Sequence, residues 1–114
     1  MKVLVTGSRH LQDRELMKET LDGYRLTEII HGKARGADTL AGDYGRSNGI
    51  EVREFPAEWD KYGRGAGPIR NSQMLKEGKP DLVIAFLAPG SRGTQNMIDQ
   101  ARKAGIEVKV VDVS

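Results

Sequence analysis

Three short turns hold the residues best suited to chemistry in this chain. They are Gly7-Ser8-Arg9, Gly32-Lys33-Ala34-Arg35-Gly36-Ala37-Asp38 and Pro89-Gly90-Ser91-Arg92-Gly93-Thr94. Each follows an apolar run and precedes a helix-like segment. Glycine lets a backbone come close to a phosphate, a helix start offers unpaired N–H groups, and arginine adds a forked cation. Together these suit the binding of a phosphorylated small molecule, most simply a nucleotide derivative.

The third turn carries the clearest signal. Gly90 and Gly93 follow the most apolar run, so successive N–H groups stand open at a helix start, and Thr94 adds a hydroxyl beside them. The turn has neither the Gly-Lys-Ser/Thr ending of a Walker loop nor the Gly-x-Gly-x-x-Gly spacing of a dinucleotide loop. In the first turn, Arg9 stands two residues past a glycine at the strand-end edge and is expected to be directed to the crevice. Ser8 reads equally as a ligand contact and as a group that satisfies the turn backbone, and His10 reads as a partly exposed loop residue. In the second turn, Gly32 ends the strand. Gly36 and Ala37 admit the backbone to a phosphate or ribose, and Arg35 or Asp38 sets the polarity. The same residues also fit a plain loop, with Asp38 in the first turn of a helix and favoured by the dipole.

A fourth segment holds Trp59, Tyr62, Arg64, Arg70 and Asn71. An exposed aromatic ring beside arginine can stack on a base, while Trp59 fits equally as a plug at the sheet edge. Arg70 and Asn71 are expected in the first turn of a helix after Gly67-Pro68. A cation there opposes the dipole unless an anion is present, which assigns both to the ligand. No catalytic residue is assigned; Glu58 and Asp60 are the nearest candidates, but a charge run at this place is usually solvated surface. No Ser/His/Asp order or metal-ligand spacing stands out, so no metal and no cofactor is expected.

The elements that must position these residues follow from pattern. Lys2 to Thr6, Thr27 to His31, Ile50 to Phe55 and Asp81 to Leu87 read as strands, and Val108, Val110 and Val111 belong to a fifth. Asp13 caps a helix that ends near Leu21, with Leu16, Met17, Thr20 and Leu21 on one face. A second helix runs from about Ala37 to Asn48. The stretch from Ala57 to Pro68 is expected to be irregular, and Pro68 suits the first turn of a third helix that Lys79-Pro80 breaks. Gly93 and Thr94 open a fourth helix with Met97, Ile98 and Ala101 inward. Strand and helix alternate throughout, which predicts a parallel sheet with right-handed crossovers. The expected fold is a Rossmann-like three-layer α/β/α domain with five parallel strands in the order 3-2-1-4-5. That order sets the first and third turns face to face at the switch point.

At 114 residues the chain makes one domain, spanning 1–114, and is too short for a second core. A net charge of only +2 argues against a general nucleic-acid footprint. Absence of cysteine excludes disulfides and thiol catalysis. No apolar run approaches the roughly 18 residues of a membrane span, so the cytoplasm is the expected compartment.

Five stretches resemble the SLOG superfamily, which includes the LOG phosphoribohydrolases and the DprA/Smf proteins, and within it the compact YspA-type, cpYpsA-related branch. They are Val5 to Arg9, His31 to Asp38, Phe55 to Trp59, Tyr62 to Asn71 and Gly90 to Thr94. The resemblance implies a nucleotide-related ligand at the carboxyl edge and a homo-oligomer whose pockets a neighbouring subunit helps complete. It also implies a departure. LOG enzymes carry Pro-Gly-Gly-x-Gly-Thr-x-x-Glu, with the glutamate serving N-glycosidic cleavage; here Ser91 replaces the second glycine and Met97 the glutamate. The expected function is therefore to bind a nucleotide-derived molecule as a sensor or sequestering module. The alternatives are a hydrolase or transferase acting on an N-glycosidic or phosphoribosyl bond, and single-stranded nucleic-acid binding.

Overall fold

The computed structural model describes residues 1–114. Five strands form one parallel sheet in the order β3-β2-β1-β4-β5. They are β1 (Lys2–Gly7), β2 (Glu28–His31), β3 (Glu51–Glu54), β4 (Leu82–Leu87) and β5 (Glu107–Asp112). Burial explains the order. β1 and β4 are continuous apolar runs with Val3, Leu4 and Val5 and Val83 to Phe86 fully inaccessible, as centre strands covered on both faces must be. β3 and β5 alternate charged with apolar residues and take the edges, where one side meets solvent. Gly7 pairs with Phe86 and Leu87 with Asp112, so β1, β4 and β5 end at one rim.

Helices cover both faces. On one, α1 (Arg14–Asp22) and α2 (Ala37–Ser47) bury Met17, Leu21, Leu40 and Ala41 against Val3, Val5, Ile29 and Ile84. The Asp13 side chain accepts from the Leu16 N–H at 3.0 Å and fixes where α1 begins. On the other face, α4 (Ala66–Gln73), a following π-helical turn (Met74–Gly78) and α5 (Arg92–Lys103) bury Met74, Met97 and Ala101 against Leu4, Ile30 and Val83. No helix is long and apolar enough to cross a membrane.

The stretch after β3 corrects the sequence expectation. Ala57 to Pro68 is mostly helical: α3 (Trp59–Tyr62) leads through a 3₁₀ turn (Gly63–Gly65) into α4, which begins at Ala66, ahead of Pro68. The Glu58 carbonyl accepts from the Lys61 and Tyr62 N–H groups at 3.1 and 3.0 Å, so the turn closes locally despite the glycines that follow. Ile69 lies 45% exposed on this staircase instead of joining the core.

Candidate functional site

The ends of β1, β2 and β4 meet through the backbone. The Ser8 N–H donates to the Phe86 carbonyl at 3.0 Å, and the Ala37 N–H donates to the Ser8 carbonyl at 3.0 Å. Two glycines permit this closeness. A Cβ on Gly7 would stand 2.8 Å from the Cβ atoms of Ala37 and Phe86. Gly36 has φ 74°, and a Cβ there would press on the Ser8 carbonyl oxygen, so both its conformation and its space require glycine. Ser8 is buried and its Oγ accepts from the His10 N–H at 3.1 Å. Of its two readings, the structure displays the turn-satisfying one.

The second turn is tied down from within. Buried Asp38 accepts from the Gly32 and Ala34 N–H groups at 3.0 and 3.2 Å. Burial pushes its carboxyl up to about 6, against the pull of the Ala34 N–H, Arg70 and the Gly32 N–H. Next to it His31 is also buried. Its Nδ1 accepts from the Lys33 N–H at 2.9 Å, which leaves the ring proton on Nε2, 3.5 Å from the Glu54 carboxylate and without a hydrogen-bond partner. Burial lowers the His31 pKa, and Glu54 partly restores it.

Arg70 and Asn71 bracket the second and third turns. Arg70 Nη1 donates to the Gly32 carbonyl and its Nε to the Asn71 Oδ1. Asn71 Nδ2 donates to the Gly93 carbonyl at 3.3 Å and to Asn96 Oδ1 at 3.1 Å. This corrects the argument that placed the pair at a helix start. They lie in the later half of α4, the dipole argument does not apply, and the guanidinium donates to the Gly32 and Phe55 carbonyls. A Cβ on Gly32 would run into that guanidinium.

The third turn stays open. The N–H groups of Arg92, Gly93 and Thr94, the first turn of α5, have no partner. Ser91 Oγ and the buried Thr94 Oγ1 lie 2.7 Å apart and bond each other. Gly93 has nothing within 4 Å of where a Cβ would stand. Arg9, Arg35 and Arg92 are exposed at this edge, and none makes a salt bridge. Pro89 and Gly90 are exposed as well, at the mouth. A hollow of about 430 Å³ lies on the β5 side of this turn and is walled by Leu87, Pro89, Gly90, Arg92, Gln95 and Asp112, among others. A second, of about 360 Å³, lies between the loop that leads into α1, including His10 and Asp13, and the end of β5, including Asp112. Gln95 and Asp112 were not singled out from the sequence. The signal that could have found Asp112 is a carboxylate at the last residue of the strand that follows a glycine turn.

Trp59, Tyr62 and Arg64 are exposed on the α3 staircase. Trp59 is 59% accessible, so it does not plug the sheet edge, and it packs beside Gly67 of α4. Glu58 and Asp60 are exposed there too, with no side-chain bond to any of the three turns. No group of three or more His, Asp or Glu gathers as a metal site. Met97, the position of the LOG glutamate, is fully buried between sheet and helices.

A Gly-Ser-Arg turn, a Gly-Ala-Asp turn and a glycine turn opening a helix thus lie along one edge of the sheet, the first two joined by the Ala37 N–H to the Ser8 carbonyl. The model of the YspA, cpYpsA-related SLOG family (YAcAr) matches residues 1–62. The chain belongs to this SLOG family. The Gene 61 protein of Mycobacterium phage D29 is 36% identical over 118 aligned positions, covering 94% of this chain and 93% of that protein. The family match includes the first two turns and ends at Tyr62; the alignment to the phage protein is long enough to take in the third.

Proposed function

We propose that this SLOG domain binds a phosphorylated, nucleotide-derived small molecule at the carboxyl edge of its sheet and acts as a sensor or sequestering module. Gly93 carries the reading. It is the second residue of α5, and no neighbour requires the missing side chain. A bare backbone beside three unpaired N–H groups suits an approaching phosphate. Thr94 and Ser91 supply hydroxyls, and Arg9, Arg35 and Arg92 supply cations that no carboxylate occupies. Gly7, Ser8, Gly32, Gly36, Ala37, Asp38, Arg70 and Asn71 form the wall that holds these groups in place. Trp59, Tyr62 and Arg64 offer exposed surface on α3 and the turn after it.

LOG-type cleavage does not enter the proposal, because the thioether of Met97 carries no proton to transfer and lies in the core. The domain is proposed to work as a homo-oligomer, as its superfamily membership suggests.

Calorimetric titration with nucleoside 5′-monophosphates tests the reading. The wild-type chain is expected to bind saturably, and Gly93→Val to lose binding at an unchanged melting temperature. Equal affinity in both proteins would remove the third turn from the site. Chromatography of the same mixtures is expected to show intact nucleotide after long incubation; free base that vanishes in Glu58→Ala would establish the hydrolase alternative.

A further inference from the structure

The second half of the chain repeats, in parallel, a strand, a glycine turn, a helix and a strand: β4, the Pro89-to-Thr94 turn, α5 and β5. Register pairs Leu87 with Asp112, so the last residue of β5 stands beside the residue from which the glycine turn departs. Asp112 and that turn both line the 430 Å³ hollow, a volume in the range of small-molecule sites. Asp112 is exposed, also lines the second hollow beside α1, and makes no salt bridge or side-chain hydrogen bond. Arg92, which also lines the hollow, makes no salt bridge with it.

A free carboxylate on the wall of an anion-binding cleft would repel the anion if the two met directly. It becomes useful when a hydroxyl-bearing group lies between them, since a carboxylate accepts two hydrogen bonds side by side. Parallel strand–glycine turn–helix–strand units that bind nucleotides use this division, with phosphate on the helix start and an acidic residue at the end of the second strand on the ribose hydroxyls, about 20 residues on. Asp112 is nineteen residues beyond Gly93. The glycine spacing here is not that of the dinucleotide loop, so the correspondence lies in register and in the hollow and not in the motif.

We propose that Asp112 is a specificity-determining residue that accepts hydrogen bonds from the vicinal hydroxyls of a ribose, and that the ligand's nucleoside part lies in the hollow between the third turn and β5. The site thereby selects ribonucleotides over 2′-deoxyribonucleotides and over inorganic phosphate. This rests on the phosphate site proposed above.

The test measures adenosine, guanosine, cytidine and uridine 5′-monophosphates by calorimetry, then compares the tightest of them with its 2′-deoxy counterpart and with inorganic phosphate. It uses the full chain as wild type, Asp112→Asn and Gly93→Val. A hydrogen bond to a charged group is expected to give the wild type a preference of about ten-fold or more for ribose over deoxyribose. In Asp112→Asn that preference falls to about two-fold, phosphate affinity does not drop, and the melting temperature stays put because the side chain is exposed. A ribose preference unchanged in Asp112→Asn, or absent in the wild type, overturns the inference. If Gly93→Val abolishes binding while Asp112→Asn behaves as wild type, only the Asp112 assignment falls. If none of the four nucleotides binds at millimolar concentration, the phosphate site falls and Asp112 with it.

Discussion

Arg9 and Arg70 show how differently two arginines near one crevice are used. Arg9 is exposed and makes no side-chain bond, so Arg9→Ala is expected to weaken nucleotide binding at least ten-fold while moving stability by less than about 0.5 kcal/mol. A sharp drop in melting temperature would make Arg9 structural. Asp38 and His31 pull stability in opposite directions with pH. Asp38, raised from 3.8 to about 6, binds a proton in the folded state before the unfolded chain does, so its contribution grows as pH falls from 6 towards 4. His31, lowered from 6.5 by burial, resists a proton that the unfolded chain accepts, so its contribution is lost as pH falls below 6.5. Urea denaturation at several pH values between 7 and 4 separates them. Asp38→Asn is expected to steepen the loss of stability on acidification and His31→Gln to flatten it. Identical slopes in wild type and both variants would contradict these assignments.

At the scale of elements, α4 works as a tie rod. Its Arg70–Asn71 pair joins the end of β2 to the start of α5, and Asn71 alone holds three polar partners while almost fully buried. Removing one such side chain strands buried donors and acceptors, which costs about 1–3 kcal/mol. Asn71→Ala is therefore expected to lower stability by that amount in denaturant titrations and to loosen the third turn, seen as faster amide exchange at Gln95 and Asn96. A variant as stable as wild type would mean that the bracket is not under load. The tie was not legible in the sequence. Its hydrogen bonds span 38 and 22 residues, and nothing local in Gly67-Pro68-Ile69-Arg70-Asn71 announces carbonyl partners that far away. The α3 staircase was missed for a related reason: Gly63, Gly65 and Gly67 read as a loop by propensity, while packing of α4 against α5 and the local bonds to Glu58 hold it helical.

Across the whole molecule, the sheet was readable because the centres of β1 and β4 are apolar runs, as buried parallel strands require, with Gly7 ending β1 and Pro89-Gly90 following close after β4. Alternation of strand and helix predicted the parallel sheet, and the order 3-2-1-4-5, which the structure has, came from the doubly wound pattern. Which side of the third turn carries the hollow did not follow. That depends on how far β5 extends beside β4, a matter of register that Val108, Val110 and Val111 leave open. The proposed oligomer has its own check: sedimentation equilibrium is expected to give at least twice the 12.6 kDa chain mass, and a single-chain mass at all concentrations would contradict it. The central claim, a phosphate held by the open start of α5, is tested most directly by amide NMR during titration with a nucleoside 5′-monophosphate. The Arg92, Gly93 and Thr94 N–H resonances should move together and furthest, saturating with the calorimetric affinity. Shifts that leave those three amides in place, or that gather instead on the helical staircase at Trp59 to Gln73, would contradict it.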